Sequence, residues 1–249
     1  MDHILRIYEE NYKNSGYRQI TAELRAKGYL VNHKKVLRLM NVLGIKSLIS
    51  INKRKKYRSY KGDVGKKADN LINRNFKASN PFEKWTTDIT EFRIGERKLY
   101  LSPILDMFNS EIISYVVSTS PNFKQIEDML DIAFKKLPLD KQPIFHSDQG
   151  WQYQNHRYVL SLKERGIFQS MSRKGNCLDN SIMENFFGVM KKEMFYGHEK
   201  SYKDIYELEA AIHEYIKYYN NRRIKIKLHG VSPVVFRKQY ELSKSLSFC

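Results

Sequence analysis

Apolar positions recur at two different periods along this 249-residue chain, and the period changes near residue 84. Upstream of that point the spacing is helical. Ile20 and Leu24 share one face, and Val36, Leu37, Leu39, Met40 and Leu43 form a stripe. These positions predict helices over about 3–13 and 17–27, and a third from an Asn32 cap to a Gly44 stop. From residue 84 the pattern turns to strands. Trp85 to Ile94 is rich in β-formers, and Lys98 to Phe108 and Glu111 to Thr119 follow after turns at Gly95–Glu96 and Asn109–Ser110. Three strands with short turns predict an antiparallel meander. An amphipathic helix over 123–137 comes next, with Ile126, Met129, Leu130, Ala133 and Leu137 inward. A strand at 143–147, a helix at 152–165, a strand at Ile167–Ser170 and helices at 179–195 and 202–221 complete the pattern. The stretch IKIKLHGVSPVVF, 224–236, has no clear period and is left unassigned. The order predicts an α/β chain: a mixed five-stranded sheet with flanking helices, preceded by a small all-helical domain.

Charge divides the chain in the same place. Residues 1–80 hold 19 Lys/Arg against 6 Asp/Glu, whereas residues 81–249 hold 25 against 21. The formal net charge of +17 favours a polyanionic partner, nucleic acid before membrane. The three helices with glycine turns suit a helix-turn-helix domain over 1–46, with Lys34, Lys35 and Arg38 of the third helix toward DNA. Residues 47–80 read as a basic linker. Its run 53–67 carries eight basic residues against Asp63 and can track phosphates, with Tyr57 and Tyr60 available to stack on bases. Residues 81–249 are then the main domain with a C-terminal helical extension. No apolar run approaches the roughly 18 residues of a membrane span. Cys177 and Cys249 build neither a disulfide framework nor a zinc quartet. A soluble, cytoplasmic protein is expected.

Three acids stand in unusual settings. Asp148 ends the short apolar strand that leads into His146–Ser147–Asp148, just before Gln149–Gly150 turns the chain. Asp88 lies among Trp-Thr-Thr and Ile-Thr in a strand, where a carboxylate needs a partner or a metal. Glu184 falls at the edge of a helical apolar arc, in line with Gly188 and Lys191. Converged, three carboxylates repel one another and call for hard cations such as Mg²⁺. Two such ions suit in-line phosphodiester displacement. Spacing alone decides nothing, since Asp128 and Glu164 repeat the 36-residue interval of Asp148 and Glu184. His146 reads as a satisfied structural histidine, and Asp179 and Asn180 as helix caps. Arg173 and Lys174 in a loop, and Arg222 and Arg223 after the long helix, are further candidates for DNA contact.

Taken together, WTTDIT, HSDQGWQY and the run D-N-S-x-x-E-N-F-F-x-x-x-K-x-E resemble the DDE motif of insertion-sequence transposases of the OrfB type. Gly16-Tyr17-Arg18-Gln19-Ile20 and Tyr218-Tyr219-Asn220-Asn221-Arg222-Arg223 with Pro233 resemble that family's two flanking signatures, so the resemblance covers the whole chain. Trp151 departs from it, standing where a small or polar residue is usual. The resemblance implies a ribonuclease H-like core related to retroviral integrases. It implies Asp88, Asp148 and Glu184 as metal-binding catalytic acids for two Mg²⁺ ions, with Mn²⁺ able to substitute, and Lys191 as a DNA contact. It also implies cleavage at element ends, strand transfer into target DNA, an OrfA partner or fusion, and homo-oligomers on DNA. A ribonuclease H-like nuclease or resolvase is the first alternative, and a non-catalytic DNA-binding regulator the second.

Overall fold

The computed structural model describes residues 1–49 and 67–246, and most of the basic run 53–67, with Tyr57 and Tyr60, lies outside them. In chain order the helices α1 (Asp2–Glu10), α2 (Tyr17–Ala26) and α3 (His33–Val42) come first. Strands β1 (Lys84–Thr87), β2 (Thr90–Ile94), β3 (Arg97–Asp106) and β4 (Ile112–Ser118) follow, then α4 (Phe123–Lys136) and β5 (Ile144–Ser147). The remaining elements are α5 (Trp151–Gln154), α6 (His156–Lys163), β6 (Phe168–Met171), α7 (Ser181–Met194), α8 (Ile205–Asn221) and α9 (Pro233–Leu246). They fall into two compact units. One comprises Met1–Lys53, Lys192–Met194 and Ile212–Cys249, and the other Arg54–Lys191 and Phe195–Ala211.

The second unit is built on the sheet. β3 pairs antiparallel with β4 on one side and with β1 and β2 on the other, while β5 lies parallel between β1 and β6. Both β1 and β2 keep one register against β3, Thr87 opposite Ile104 and Thr90 opposite Leu101. They are therefore two halves of one strand, interrupted at Asp88–Ile89, and the sheet has the five expected positions. The interruption has a local cause. The Asp88 carboxylate takes the Ile89 N–H at 2.8 Å, and the register sets Asp88 against Pro103, which has no N–H to donate. Side chains alternate across the sheet. Trp85 and Phe145 point into a core with Ile126, Met129, Leu130 and Ala133 of α4, Tyr153 of α5 and Tyr158 and Leu162 of α6. Thr86, His146 and Ser170 sit side by side on β1, β5 and β6 and face the other way. The single helix expected at 152–165 is two, because Asn155 caps the second by accepting the Arg157 N–H at 2.9 Å.

Part of the expected linker belongs to this unit. Ile72 is buried, the Leu71 N–H donates to Ser170 Oγ, and the Met171 N–H donates to Asp69 O. These bonds extend the order at the β6 edge.

The first unit joins both ends of the chain. Ile4, Ile7, Tyr8, Ile20, Leu24, Val36 and Met40 bury one another, and Ile224 from the C-terminal segment enters the same core. Asn32 caps α3 as expected, its side chain accepting the Lys34 N–H at 2.9 Å. Lys34, Lys35 and Arg38 lie on the exposed face of that helix. The unassigned tail forms a 3-10 turn at Ile226–Leu228 and then α9. Gly230, at φ +85°, is demanded by close approach, since a Cβ there would stand 2.3 Å from Ala22 O.

Lys225 gives this unit a pH dependence. Its ammonium is turned inward to the Tyr219 hydroxyl at 2.6 Å, and burial, with Arg223 second, lowers its pKa to about 7. Unfolded, lysine titrates near ~10.4. Between these limits the folded state binds fewer protons, so stability rises with pH from about 7 toward about 10. Thermal unfolding across that window should show the rise, and Lys225→Met should flatten it. An unchanged slope in the variant would assign the effect elsewhere.

Candidate active site

The parallel pairing of β1 with β5 sets Thr86 beside His146. Carried two residues on, the same register places Asp88 beside Asp148, both just past the C-terminal ends of their strands. Neighbouring strands lie roughly 4.8 Å apart, so the two carboxylates share one locality. Their electrostatics agree. Asp88 is held well above the ordinary carboxylate range, first by burial and then by the charge of Asp148, with Glu184 adding to it. Burial also raises Asp148. Backbone donors hold both in place. Ile89 N–H serves Asp88 Oδ1, and Gly150 N–H serves Asp148 Oδ1 at 2.8 Å.

The side chains of Asn180 and Asp179 do not make the helix-capping bonds expected of them. Asn180 begins α7 without any side-chain capping bond. Its Nδ2 instead donates to Asp88 Oδ2 at 3.1 Å, and its Oδ1 accepts the Thr86 hydroxyl at 3.1 Å. Asp179, whose side chain is fully buried, accepts two bonds from the Arg173 guanidinium at 2.8 and 2.9 Å, and one each from Arg74 and Asn70. These donors, Arg173 above all, hold its carboxyl well below the usual range. His146 is a satisfied structural histidine as expected, bonded through its ring nitrogens to Ser170 Oγ and Asp179 O. Strand ends and the start of α7 are thus tied together through one polar seam.

Glu184 lies in the first turn of α7, part-exposed, and burial raises its pKa. Its charge reaches Asp88, yet among the described residues no three His, Cys, Asp or Glu side chains form a group that could hold a metal ion as they stand. The structure therefore brings Asp88 and Asp148 together and leaves Glu184 as a neighbour. The pair itself fits a hard cation: its donors are all oxygen, and its like charges are poorly solvated. Lys191 borders the pair. Its ammonium donates to Glu91 O at 2.6 Å over the Phe92 ring, and burial lowers its pKa to about 8.

The other candidates for DNA contact separate. Arg222 is exposed. Arg223 is not the exposed contact expected of it. Its guanidinium is enclosed in the first unit, with 12% of the side chain exposed, and forks onto Glu193 at 2.6–3.1 Å. Arg173 is half-exposed but already spends two donors on Asp179, and Lys174 lies in the exposed loop beside it. Sequence reading took Asn180 for a cap, and gave no role to Arg74 or Tyr153. The asparagine of D-N-S and the tyrosine of HSDQGWQY stood in the motifs, whereas Arg74 was hidden in a run of linker charges.

Integrase core domain models match residues 78–177 and 184–240, and a model of an HTH-like domain matches residues 1–56. The transposase InsK of insertion sequence IS150 from Escherichia coli is 53% identical over 95% of this chain and 82% of its own length. This chain belongs to the insertion-sequence transposases. A transposase-like protein of Haemophilus influenzae is 57% identical over 84% of the transposase and 94% of its own length. Transposases of IS904 from Lactococcus lactis and IS629 from Shigella sonnei follow at 34% and 32% identity. Among solved structures, the HTLV-2 integrase catalytic core, determined with magnesium, matches with a TM-score of 0.50 at 14% identity, over 64% of the transposase and 98% of that core. That likeness concerns the fold, a ribonuclease H-like core. No helix among the described residues is long and apolar enough to cross a membrane.

Proposed function

We propose that this transposase cuts and joins DNA strands at a site organised by Asp88 and Asp148, with Glu184 as the third acid. The observation that supports the reading is the β1–β5 register, which carried two residues past Thr86 and His146 would pair Asp88 with Asp148, together with the raised pKa that burial and the charge of Asp148 give Asp88. Asp88 and Asp148 would hold divalent ions, two Mg²⁺ with Mn²⁺ as a substitute, and Glu184 would join by turning its flexible side chain. Bound there, such ions stabilise the attacking and leaving oxygens of a phosphodiester displacement.

The chain's own residues do the rest. Asn180 and the Ile89 N–H fix the Asp88 carboxylate, and the Gly150 N–H fixes Asp148. The Asp179 clamp on Arg173 and Arg74 holds the segment leading into α7, which carries Glu184. Lys191 places a cation beside the acids and Lys174 one in the loop before α7, both suited to strand phosphates. Lys34, Lys35, Arg38 and Arg222 supply exposed charge for the flanking duplex. Element ends and target DNA are the substrates, an OrfA protein or a fusion with it the partner, and a homo-oligomer on paired ends the working form.

The test is an incubation of labelled candidate element ends with Mg²⁺ or Mn²⁺, scored for strand-joined products. The wild-type chain should produce them, and Asp148→Asn should bind the same DNA without cutting it. An Asp148→Asn chain that still cuts would remove the site assignment. Ends that are cut but never joined would make the protein a nuclease.

A further inference from the structure

Two buried phenols feel the charge of the acid pair and, among the described residues, have nothing to bond to. Tyr153 and Tyr158 are 1% and 0% exposed, and neither hydroxyl has a hydrogen-bond partner among the described residues. Their rings meet edge to face at 5.5 Å. An unsatisfied buried hydroxyl costs about 1–3 kcal/mol, and phenylalanine would fill the same space without that cost. Shape alone therefore does not account for tyrosine at either position.

Their surroundings differ. Burial and the charges of Asp88 and then Asp148 all oppose ionisation of Tyr153, whereas only burial and Asp148 act on Tyr158. Gly150 shows the proximity directly. A Cβ there would stand 3.0 Å from Asp148 Oδ1 and 3.4 Å from Tyr153 Cδ2, so carboxylate and ring flank the same α-carbon. The backbone of Tyr153 is fixed as well. Its N–H donates to Gly150 O at 3.1 Å, and its carbonyl accepts Gln169 Nε2 at 2.7 Å. The Thr87 hydroxyl lies near enough to favour the phenolate slightly, but its bond goes to Met129 Sδ at 3.7 Å.

Of the four carboxylate oxygens in the pair, three accept bonds. Asp88 Oδ1 takes Ile89 N–H, Asp88 Oδ2 takes Asn180 Nδ2, and Asp148 Oδ1 takes Gly150 N–H. Among the described residues Asp148 Oδ2 accepts none, and the Tyr153 ring, whose hydroxyl lacks an acceptor among the same residues, flanks the Gly150 α-carbon beside that carboxylate.

We propose that Tyr153 is a positioning residue of the acid pair, its hydroxyl donating to Asp148 Oδ2 when the pair holds a divalent cation. The proposal rests on the acid-pair reading above. Outer donors that orient ligating carboxylates are worth about 10–100-fold in metal affinity. Tyr158 packs in the same core and has no such role.

The experiment follows the melting temperature of the full chain through Mg²⁺ and Mn²⁺ titrations without DNA, since a ligand bound to the folded state raises it. Wild type should shift upward with metal and Asp148→Asn should not. Tyr153→Phe should melt at or slightly above the wild-type temperature without metal, and should need roughly 10–100-fold more metal for the same shift. Tyr158→Phe should titrate like wild type. A Tyr153→Phe chain whose metal midpoint equals that of wild type overturns the proposal alone. So does a Tyr158→Phe chain displaced as far as Tyr153→Phe, because the effect would then belong to the core. A wild-type chain with no metal-induced shift overturns the acid-pair reading and this proposal with it.

Discussion

Asparagine at position 88 is expected to abolish strand cleavage and, in the same protein, to raise the melting temperature measured without metal. The opposite signs follow from what Asp88 is asked to do. Its carboxylate is recessed and lies beside Asp148, and its protonated form is favoured first by burial and then by that neighbour's charge. Replacing it with a neutral side chain of the same shape relieves both, and stability gains of about 0.5–2 kcal/mol are common when such strained functional positions are relaxed. The surrounding bonds can be kept. Asn180 can turn its amide over, offering Oδ1 to the new amide and Nδ2 to the Thr86 hydroxyl, while Ile89 N–H keeps its acceptor. The loss is in charge available to a cation. A bound metal contributes several kcal/mol of transition-state stabilisation, which at about 1.36 kcal/mol per decade is roughly a thousandfold or more in rate. The pH dependence follows the same logic. With its pKa raised, Asp88 keeps a proton in the folded state that the unfolded chain releases, so metal-free stability falls as pH rises above the ordinary carboxylate range, and Asp88→Asn should lessen that fall. Cleavage by the variant near the wild-type rate, or a melting temperature several degrees below wild type, would contradict this account.

The acids stood out in the sequence because each broke a local pattern: a carboxylate among β-formers, another ending an apolar strand, a third at the edge of a helical stripe, and the fold brings the first two near one another. What the sequence could not express were partnerships across long separations. Asp179 and Asn180 precede a helix and read as caps, yet their side chains go to Arg74, 105 positions upstream, and to Asp88, 92 positions upstream. Arg74 sat in a basic stretch, and basic stretches are usually solvated, so nothing local marked it as a partner of the buried Asp179. Arg223 beside Arg222 looked like a pair of DNA contacts. Only the fold reveals that Glu193 claims the second of them. The split of one strand into β1 and β2 was hidden for a related reason, since Asp88 itself takes the neighbouring N–H and no glycine or proline in that strand announces the break. Asn155 did carry a readable cap signal, and the helix it starts could have been separated on sequence alone.

Removing the Glu193 carboxylate should cost the first unit more stability than any other single substitution considered above. Glu193 is 1% exposed at its side chain, and it accepts Arg223 through Nε and Nη2 and the Tyr215 hydroxyl at 2.8 Å. In Glu193→Ala the guanidinium stays enclosed without its counter-charge and close to Lys225, whose ammonium already suffers from Arg223. Breaking a buried pair from one side costs about 3–5 kcal/mol, and the orphaned Tyr215 hydroxyl adds about 1–3 kcal/mol. At roughly 2–4 °C per kcal/mol for a chain of this size, the transition of this unit should fall by on the order of 10 °C or more. The double variant Glu193→Leu with Arg223→Met replaces both charges by apolar groups and should recover most of the loss, because well-packed hydrophobic residues often match a buried ion pair. Two probes separate the units. Trp85 and Trp151 both belong to the sheet-containing unit, so tryptophan fluorescence follows that unit while the far-UV helical signal includes the other. The helical transition should move down in Glu193→Ala while the fluorescence transition moves less. A single variant costing under about 1 kcal/mol would mean the pair behaves as a solvated surface bridge, and Arg223 would then return to the set of residues available to DNA.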